Sequence, residues 1–297
     1  MNSTLELLKE KGLCFVNEPL SIHSSIGIGG KAKIFVMPES LEQFVEIVGY
    51  CEDEGIVHKV VGNMTNVLFS DQGFNGVVVS TAGMANDISV WSNIITCGAG
   101  TKLSKLAVFA QKQNLSGLEW ACGIPGTVGG AIVQNAGAFG SQISDAATKV
   151  LVYQNRKLVS VSNENCGFSY RNSRFKTEKS VVLDASFALK PASATEIAEK
   201  MQLFVAKRIF AQPKGKSLGS VFKNAKEYSA GYLIEQVGLK GKKSGGAKFS
   251  EKHANFIINE HDATQNDVLT LIALAKDAVY AKFGIWLETE IEIIDKE

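Results

Sequence analysis

The sequence has almost no net charge and no long hydrophobic run, and these absences exclude several classes of protein. Its 31 lysine and arginine residues nearly balance 30 aspartate and glutamate residues, for a formal net charge of +1. Proteins that bind nucleic acid or anionic membranes usually carry a basic excess, so we expect neither partner. No apolar stretch approaches the roughly 18 residues that a membrane-spanning helix needs. The first residues carry charges where a signal peptide would have an apolar core, so we expect a cytoplasmic protein.

Cysteine is scarce and unpatterned, which argues against zinc and dithiol chemistry. The five cysteines are Cys14, Cys51, Cys97, Cys122 and Cys166, and no two form a C-x-x-C pair. An odd number of widely spaced cysteines favours buried free thiols over a disulfide framework. We therefore predict no metal ligands. The length of 297 residues, with 45% hydrophobic and 21% charged content, is typical of a globular protein with two or three domains.

Glycine, in contrast, is concentrated in residues 117–145, GLEWACGIPGTVGGAIVQNAGAFGSQISD, a stretch that we call the cradle. Six glycines occur between positions 123 and 140, so the backbone itself would meet a partner there. Glycine is used where the backbone needs φ > 0 or where another group approaches it closely, and successive exposed N–H groups suit an anion. The cradle is therefore predicted to bind a phosphate or pyrophosphate.

The common phosphate-binding motifs are absent from the cradle. A P-loop ends in Gly-Lys-Ser/Thr, and residues 117–145 contain no lysine. A dinucleotide fingerprint needs G-x-G-x-x-G between a strand and a helix, and that spacing does not occur either. The alternative is a glycine-rich turn that only lets two elements pack tightly. Thr127 and Asn135 favour a ligand, because they place polar groups among small residues.

Five further segments have patterns that ordinary structural roles could also explain. They are SSIGIGGKA at residues 24–32, VGNMTN at 61–66, CGFSYRNS at 166–173, QPKGKSLGSVFKN at 212–224 and LETE at 287–290. By residue type alone they are typical of a glycine hairpin, turn caps, an exposed loop, solvated lysines and an edge strand with a charged face.

Together, the cradle and these segments resemble the UDP-N-acetylenolpyruvoylglucosamine reductase family of flavoproteins, from about residue 21 to about residue 294. The resemblance implies an α+β fold, with a two-part FAD-binding region of the vanillyl-alcohol-oxidase/PCMH type and a C-terminal α+β substrate-binding domain. The implied domains are residues 1–79, 80–190 and 191–297, with a final strand at 285–294 that returns a catalytic glutamate to the flavin. The short segment between Phe175 and Val181 indicates the shorter subtype, which lacks a tyrosine-bearing insertion.

The resemblance implies that three segments bind FAD. The first two contribute Ile28, Gly29, Gly30, Gly62, Asn63, Met64, Thr65 and Asn66. The cradle contributes Gly123, Pro125, Gly126, Thr127, Gly129, Gly130, Asn135, Ala136 and Gly137. Gly27 stands where the family usually has arginine, and Asn63 and Met64 replace two glycines of its G-G-G-S-N sequence. Because methionine tolerates φ > 0 poorly, we expect FAD binding to be weakened or rearranged at this point.

The same resemblance implies the catalytic residues. Arg171, in the C-x-F-x-Y-R-x-S motif, would hold the substrate's carboxylate, because its planar fork can bind two oxygens. Ser220 would donate a proton to carbon, and Glu290, the second acid of L-E-x-E, would stabilise the intermediate. The implied substrate-binding residues are Tyr170, Lys214 and Asn224.

The activity that the resemblance implies is a reduction in peptidoglycan precursor synthesis. NADPH would reduce FAD, and the flavin would reduce UDP-N-acetylglucosamine enolpyruvate to UDP-N-acetylmuramate. The expected partners are therefore this substrate and NADPH, and we expect a monomer. Two alternatives stay open: another FAD-dependent oxidoreductase of the same fold, and a flavin-free binding module, which Asn63 and Met64 would favour.

Hydrophobic spacing predicts the helices and strands that carry these motifs. Capping sequences begin helices at Ser40, Ser193 and Thr264, and the last of these is predicted to end at Gly284. The helix after Ser193 is predicted to bury Ile197, Met201, Phe204 and Val205, and the helix after Thr264 to bury Val268, Leu271, Ile272, Ala275 and Val279. Residues 147–153, 157–161 and 181–189 are predicted strands, and Leu5 and Leu8 are spaced for a short N-terminal helix.

Overall fold

The structure is a computed structural model, and it describes residue 8, residues 13–84 and residues 87–295. Apart from Leu8, which is buried, the predicted N-terminal helix lies outside the described residues. The α-helices are α1 (Leu41–Asp53), α2 (Leu103–Lys112), α3 (Val128–Gln134), α4 (Ala194–Ala211), α5 (Ala230–Gln236) and α6 (Gln265–Phe283). No helix in the described ranges is long and apolar enough to cross a membrane.

Strands make up most of the remaining regular structure. In the first part of the chain they are β1 (Leu13–Pro19), β2 (Lys31–Met37), β3 (His58–Val61), β4 (Val67–Phe69), β5 (Phe74–Ser80), β6 (Ile88–Trp91), β7 (Ile94–Gly98), β8 (Leu115–Ser116), β9 (Gly137–Ala138) and β10 (Ser141–Gln142). They continue as β11 (Ala147–Gln154), β12 (Lys157–Ser162), β13 (Ser180–Ala188), β14 (Lys190–Pro191), β15 (Lys216–Ser220), β16 (Lys243–Ser244), β17 (Ala247–Phe249), β18 (Phe256–Asn259) and β19 (Glu292–Ile294). The predicted strands at 147–153, 157–161 and 181–189 are confirmed as β11, β12 and β13, and the mixture of helices and strands confirms the α+β prediction.

Among the described residues, the strands form three larger sheets and three short pairs. The sheet orders are β1-β2-β5-β3, β12-β11-β13-β7-β6 and β15-β18-β17-β16, and the short pairs are β10-β9, β14-β8 and β19-β4. The five-stranded sheet is antiparallel throughout, whereas β3 pairs with β5, and β19 with β4, in parallel. A parallel pair cannot be joined by a tight turn. The β19-β4 pair therefore brings the end of the chain back to a strand near its beginning.

The predicted helix caps are confirmed. The Ser40 side chain accepts a hydrogen bond from the Gln43 N–H at the start of α1. At α6, Thr264 and Asp267 form a reciprocal capping box, and Gly284 ends the helix in the left-handed region with φ 67°. A side-chain acceptor at such a start satisfies an N–H that has no partner within the helix. Local sequence thus determines where these helices begin and end.

The chain groups into two compact units that interleave along the sequence. The cradle unit contains the residues up to Phe15, Ile34–Asn63 and Val77–Arg208, and the C-terminal unit contains Val16–Lys33, Met64–Gly76 and Ile209–Glu297. The division into three consecutive domains at residues 1–79, 80–190 and 191–297 stays a prediction.

The cradle unit has a core between its five-stranded sheet and helices α2 and α3. Ile95 and Val150 of the sheet, Leu106 of α2 and Ile132 of α3 are all fully buried in one apolar cluster. Burying an aliphatic side chain of this size stabilises a fold by about 1.5–3 kcal/mol. Leu118 and Ile143, near the two ends of the cradle, are buried in the same cluster, so both ends are anchored in this core.

The C-terminal unit packs α5 and α6 with β15, β17 and β18. Phe222, Leu233, Phe249 and Leu271 are buried in its apolar cluster. Asn255 is buried beside them, and its side chain donates to the Phe222 carbonyl at 2.8 Å and accepts from the Phe222 N–H at 2.9 Å. A buried amide that makes both bonds fixes the backbone that it contacts. The backbone at Phe222, two residues after Ser220, is held in position in this way.

The sequence-based prediction for α4 is partly wrong. The capping bonds between Ser193 and Glu196 are present, and Ile197 is buried, but the predicted buried residue Val205 is 37% exposed. Apolar residues occur around much of this helix, and Phe210 is 84% exposed, so the apolar spacing does not define a single buried face. Phe204 instead stacks on Phe139, with ring centroids 4.8 Å apart.

The predicted final strand at 285–294 is also too long. Within it, Glu292–Ile294 forms β19, and Thr289 makes an isolated antiparallel bridge to Phe222. Alternating side chains allow an extended chain, but a strand also needs a backbone partner at each position. The region is therefore an extended segment that pairs with one neighbour near residue 289 and with β4 from residue 292.

Candidate active site

Two glycines in the cradle have different structural roles. Gly129 packs tightly, because an added Cβ would lie 2.9 Å from the Ala99 Cβ, and its N–H donates to the Ala99 carbonyl at 2.8 Å. Gly130 is exposed, and the nearest atom to an added Cβ would be the Thr127 Oγ1 at 3.6 Å. Within the cradle, Gly129 therefore fits the tight-packing explanation, whereas its neighbour Gly130 fits the ligand explanation. Gly130 is the position at which a partner could approach the backbone.

The structure brings the 62–63 segment to the cradle within the same unit. An added Cβ at Gly62 would overlap the Thr127 Oγ1, and the Asn63 side chain donates to the Pro125 carbonyl at 3.2 Å. Thr127 is itself buried and caps α3 by accepting from the Gly130 N–H. Four of the predicted cofactor-binding residues are thus direct neighbours.

Met64 has the backbone conformation that a glycine would adopt easily. Its φ is 48°, in the left-handed region, and its side chain is only 3% exposed. Non-glycine residues adopt this region at a cost of order 1 kcal/mol, which the surroundings must offset. The expectation that Asn63 and Met64 weaken or rearrange FAD binding stays a prediction.

The 24–30 segment lies in the C-terminal unit and has a closely packed backbone. Ile28 is buried, Gly29 has φ 137°, and the Gly30 N–H donates to the Ser70 carbonyl at 2.8 Å. An added Cβ at Gly30 would overlap the Asp71 carbonyl. Within the described part of the chain, the buried Ser24 hydroxyl has no hydrogen-bond partner, and a bound ligand could provide one.

A lysine lies across Gly27, where the family usually has arginine. An added Cβ at Gly27 would be 3.1 Å from the Lys216 Cδ and 3.5 Å from its Nζ. Gly27 has φ 72°, so its backbone also favours glycine. A cation is therefore present beside this position, although it comes from β15.

Arg171 lies at the tip of a tight turn that contacts the cradle. Ser169 and Asn172 exchange two backbone hydrogen bonds, of 3.0 and 3.1 Å, so Tyr170 and Arg171 form the turn between them. The Arg171 Nη2 donates to the Gly137 carbonyl at 2.7 Å, and its guanidinium lies 5.2 Å from the centre of the Tyr170 ring. One predicted catalytic residue and one predicted substrate-binding residue thus lie beside the end of the cradle.

The expectation that a ligand uses the Asn135 side chain requires correction. This residue is fully buried, and its Nδ2 donates to the Ser169 carbonyl at 2.9 Å and to the Gln142 Oε1 at 3.2 Å. Its Oδ1 accepts from the Ser144 N–H at 3.0 Å. Both amide hydrogens are therefore engaged by the protein. A cofactor contact with the backbone of Asn135 stays a prediction, as it does for the neighbouring Ala136.

Ser220 and Glu290 lie on neighbouring segments of the C-terminal unit. The Glu290 N–H donates to the Val221 carbonyl at 2.7 Å, and the Lys223 N–H donates to the Glu288 carbonyl at 2.9 Å. These bonds and the bridge between Phe222 and Thr289 align residues 221–223 with 288–290. Glu290 therefore lies opposite Val221, the residue that follows Ser220, so the two predicted catalytic residues are close along the backbone.

Asn66 makes two hydrogen bonds to the backbone of the segment that contains Glu290. Its Nδ2 donates to the Glu290 carbonyl at 3.1 Å, and its own carbonyl accepts from the Glu292 N–H at 2.9 Å. Thr65 precedes it in the same unit and is half-buried. Sequence reasoning identified Asn66 as a cofactor ligand or a turn cap, and missed this contact because its partner is 224 residues away.

The predicted substrate-binding residues of the C-terminal unit are exposed. Lys214 lies at the surface before β15, and Asn224 accepts the Ala230 N–H at 3.0 Å through its Oδ1, at the start of α5. Several neighbouring lysines pair with carboxylates, such as Lys223 with Glu288 at 3.0 Å. No group of three or more metal-ligating side chains occurs in the part of the chain that the structure describes.

Comparisons with known proteins cover nearly the whole chain. Residues 212–294 match the family described as UDP-N-acetylenolpyruvoylglucosamine reductase, C-terminal domain, and residues 32–155 match the FAD binding domain family. The UDP-N-acetylenolpyruvoylglucosamine reductase of Caldicellulosiruptor bescii is 45% identical over 97% of this chain and 93% of its own. That of Caldanaerobacter subterraneus subsp. tengcongensis is 42% identical over 98% of this chain and 97% of its own. The crystal structure of the reductase from Thermus caldophilus, 32% identical, superposes with a TM-score of 0.80 over 95% of this chain and 98% of that chain.

Proposed function

This chain belongs to the UDP-N-acetylenolpyruvoylglucosamine reductase family, and we propose that it reduces UDP-N-acetylglucosamine enolpyruvate to UDP-N-acetylmuramate. FAD is the cofactor and NADPH the hydride donor. The observation that carries the proposal is the similarity of both parts of the chain, the FAD-binding part and the C-terminal part, to proteins of this one activity. The family, the cofactor and the enzyme class predicted from the sequence are confirmed.

Each unit, taken by itself, contains residues that we propose to bind FAD. In the cradle unit, Gly62, Asn63, Pro125 and Thr127 are neighbours, and Gly130 presents open backbone beside them. These contacts support a role for this group in binding the pyrophosphate, because backbone N–H groups can approach phosphate oxygens where no Cβ intervenes. The other cradle residues proposed to bind FAD are Gly123, Gly126, Gly129, Asn135, Ala136 and Gly137, the last three through the backbone.

The C-terminal unit contributes the second set of FAD-binding residues. They are Ile28, Gly29, Gly30, Met64, Thr65 and Asn66. The partnerless hydroxyl of Ser24, in the same segment as Ile28, supports a ligand at this segment, because a buried hydroxyl without a partner costs about 1–3 kcal/mol. Lys216 supports it as well, because a cation beside Gly27 suits a phosphorylated cofactor.

When bound, FAD would accept a hydride from NADPH and return it to the terminal carbon of the enolpyruvyl double bond. Arg171 would bind the substrate's carboxylate. As the double bond accepts the hydride, negative charge develops toward that carboxylate, and a fixed guanidinium stabilises it. The hydrogen bond from the Arg171 Nη2 to the Gly137 carbonyl supports this role, because it fixes the guanidinium in advance.

Ser220 and Glu290 would complete the reaction. Ser220 would give its hydroxyl proton to the carbon next to the carboxylate, and water would restore that proton. Glu290 would stabilise the charged intermediate through a hydrogen bond or a shared proton. The alignment of 221–223 with 288–290 supports these roles, because it holds the backbone of Glu290 opposite the residue that follows Ser220. Tyr170, Lys214 and Asn224 are proposed to bind the rest of the substrate.

We propose further that the chain acts as a monomer in the cytoplasm. None of the five cysteines forms a disulfide, which suits a reducing compartment. The near-zero net charge gives no electrostatic reason for nucleic-acid binding.

The experiment is an assay of the purified holoprotein with NADPH and UDP-N-acetylglucosamine enolpyruvate. We expect a bound flavin spectrum and one UDP-N-acetylmuramate, identified by mass spectrometry, for each NADPH consumed. UDP-N-acetylglucosamine, which lacks the double bond, is the matched control and should consume no NADPH. A protein that gains no flavin spectrum with added FAD would instead support the binding module. Turnover of an alcohol with oxygen, without NADPH, would support another oxidoreductase.

A further inference from the structure

We propose that Asn135 is a positioning residue that fixes the turn carrying Tyr170 and Arg171, and that its effect on the reaction acts through Arg171. The inference rests on the function proposed above, in which Arg171 binds the substrate's carboxylate. It assigns to a cradle residue a task in the substrate step, distinct from contact with FAD.

The Asn135 side chain lies between the cradle and this turn. The residue is fully buried at the end of α3, where its φ of 43° ends the helix in the left-handed region. Asparagine adopts that region more readily than most residues, so it suits this helix end. From there its Nδ2 reaches the Ser169 carbonyl at 2.9 Å. Ser169 is the first residue of the two-bond turn, so Asn135 fixes the point at which the turn begins.

The turn needs such support because of its own backbone. Arg171 has φ 53°, a left-handed conformation that a long side chain adopts only where the surroundings impose it. The two bonds between Ser169 and Asn172 close the turn but do not fix its direction. The hydrogen bond from the buried Asn135 amide to the Ser169 carbonyl fixes the direction of the turn relative to the cradle.

Two further contacts join the same stretch of the cradle to the turn. The Ser173 Oγ donates to the Val133 carbonyl at 2.7 Å, and the Arg171 Nη2 donates to the Gly137 carbonyl at 2.7 Å. Residues 133–137 thus contact the start, the tip and the end of the 169–173 segment. A displacement of the Ser169 carbonyl would therefore change the position of the Arg171 guanidinium relative to the cradle.

The chemistry at this point requires an amide. Both Nδ2 hydrogens are donated, to Ser169 and to the Gln142 Oε1, while the Oδ1 accepts from Ser144. An aspartate has the same shape but only acceptors, so it would face the Ser169 carbonyl with like partial charge. Asn135→Asp therefore removes the bond to the turn while it keeps the acceptor for Ser144.

The test measures the two half-reactions of the holoenzyme by stopped-flow. In Asn135→Asp, we expect NADPH to reduce the flavin within twofold of the wild-type rate, whereas reoxidation by the enolpyruvyl substrate slows at least tenfold. Asn163→Asp is the matched control, because the Asn163 Nδ2 donates to the Ser144 carbonyl of the same unit and makes no bond to the turn. We expect it to change the ratio of the two rates by less than twofold.

A double-mutant cycle with Arg171→Lys separates a positioning role from a general one. If Asn135 acts through Arg171, Asn135→Asp should slow reoxidation less than threefold when Arg171 is already lysine. Should Asn135→Asp fail to fold, Asn135→Ser provides the same cycle, because its shorter side chain cannot reach Ser169. Equal slowing of both half-reactions, additive effects in the cycle, or loss of FAD without a change in reoxidation would each overturn the inference. Failure of the wild-type reduced enzyme to react with the substrate would instead overturn the proposed function, and the inference with it.

Discussion

Met64 combines a strained backbone with a buried side chain, and the two have opposite consequences for a change to glycine. The left-handed φ of 48° costs of order 1 kcal/mol, which glycine would relieve. Burial of the methionine side chain contributes about 1.5–3 kcal/mol, which glycine would lose. Burial is the larger of the two estimates, so we expect the methionine to make a net contribution to stability.

We therefore expect Met64→Gly to bind FAD more tightly while its apoprotein is less stable, by about 0.5–2 kcal/mol on the difference between these two terms. The affinity should rise several-fold, because removal of the Cβ opens the backbone to the cofactor. Flavin titration of the apoprotein measures the first effect, and urea denaturation measures the second. Met64→Ala is the control, since it removes most of the buried surface and keeps the Cβ. Unchanged or weaker FAD binding in Met64→Gly would show that the side chain is not in the way.

Gly130 provides a sharper test of the cradle, because space around it is open in the protein alone. We expect Gly130→Val to fold normally and to lose most of its bound FAD, because the added side chain would occupy only the path of the cofactor. Absorbance of the purified protein measures flavin content, and circular dichroism with thermal denaturation measures folding. Gly129→Val is the contrasting variant, because its Cβ would lie 2.9 Å from the Ala99 Cβ and should destabilise the fold itself. Full flavin content in Gly130→Val would remove the cradle hypothesis.

At the scale of elements, the pairing of residues 221–223 with 288–290 holds the backbone next to Ser220 beside the backbone of Glu290. A serine hydroxyl is a weak acid, so Ser220 can protonate only a strongly basic carbon, and that carbon exists only after hydride has reached the substrate. Its proposed role therefore belongs to the second half-reaction alone.

Ser220→Ala should accordingly leave the reduction of FAD by NADPH nearly unchanged and slow reoxidation by the substrate by orders of magnitude. A loss of a few kcal/mol of transition-state stabilisation corresponds to a factor of about 100 or more in rate. Glu290→Gln should show the same asymmetry. Stopped-flow measurement of each step decides the matter. A slowed NADPH step in Ser220→Ala, or reoxidation at the wild-type rate, would leave proton delivery to water or another side chain.

The elements that the sequence predicted well are those whose signals are local. The caps at Ser40 and Thr264 and the strands β11 to β13 depend on residues close in the chain, and all are present. For α4, apolar residues lie around much of the helix, so spacing could not tell that Val205 would be exposed. The final strand is shorter than predicted because its partners, β4 and the Phe222 segment, are distant in sequence.

The residues of the candidate site also divide into those that a local motif identifies and those whose contacts only the fold reveals. Motifs identified Arg171, Ser220 and Glu290 singly, but only the fold shows that Glu290 pairs with Val221, the residue that follows Ser220. The hydrogen bonds of Asn66 to Glu290 and of Asn135 to Ser169 link residues far apart in the chain, and an asparagine in a loop gives no local sign of its partner. Sequence therefore predicted which residues matter better than it predicted what each one contacts.

At the scale of the whole molecule, all five cysteines belong to the cradle unit, so the reactivity of their thiols reports how often that unit opens. Burial raises the thiol pKa from 9.0 to about 11 for Cys51 and Cys166 and to about 12 for Cys97. Since the folded values lie above the unfolded one, the stability linked to these thiols is fully present below pH 9.0 and decreases as pH rises toward those values. At neutral pH they are protonated and react only when the unit opens.

FAD bound to the cradle unit should therefore protect these thiols from alkylation. A ligand at 100 times its dissociation constant stabilises the folded state by about 2.7 kcal/mol, which lowers the population of the open state about 100-fold. We expect FAD to slow the alkylation of Cys97 at pH 7 by up to this factor, measured by peptide mass spectrometry under conditions where closing is faster than labelling. Gly130→Val at the same FAD concentration should show little protection, and riboflavin, which lacks the pyrophosphate, should protect the wild-type protein less than FAD does. Equal labelling rates with and without FAD in the wild-type protein would mean that the cradle unit gains no stability from the cofactor, and the cradle would then have to be assigned to tight packing alone.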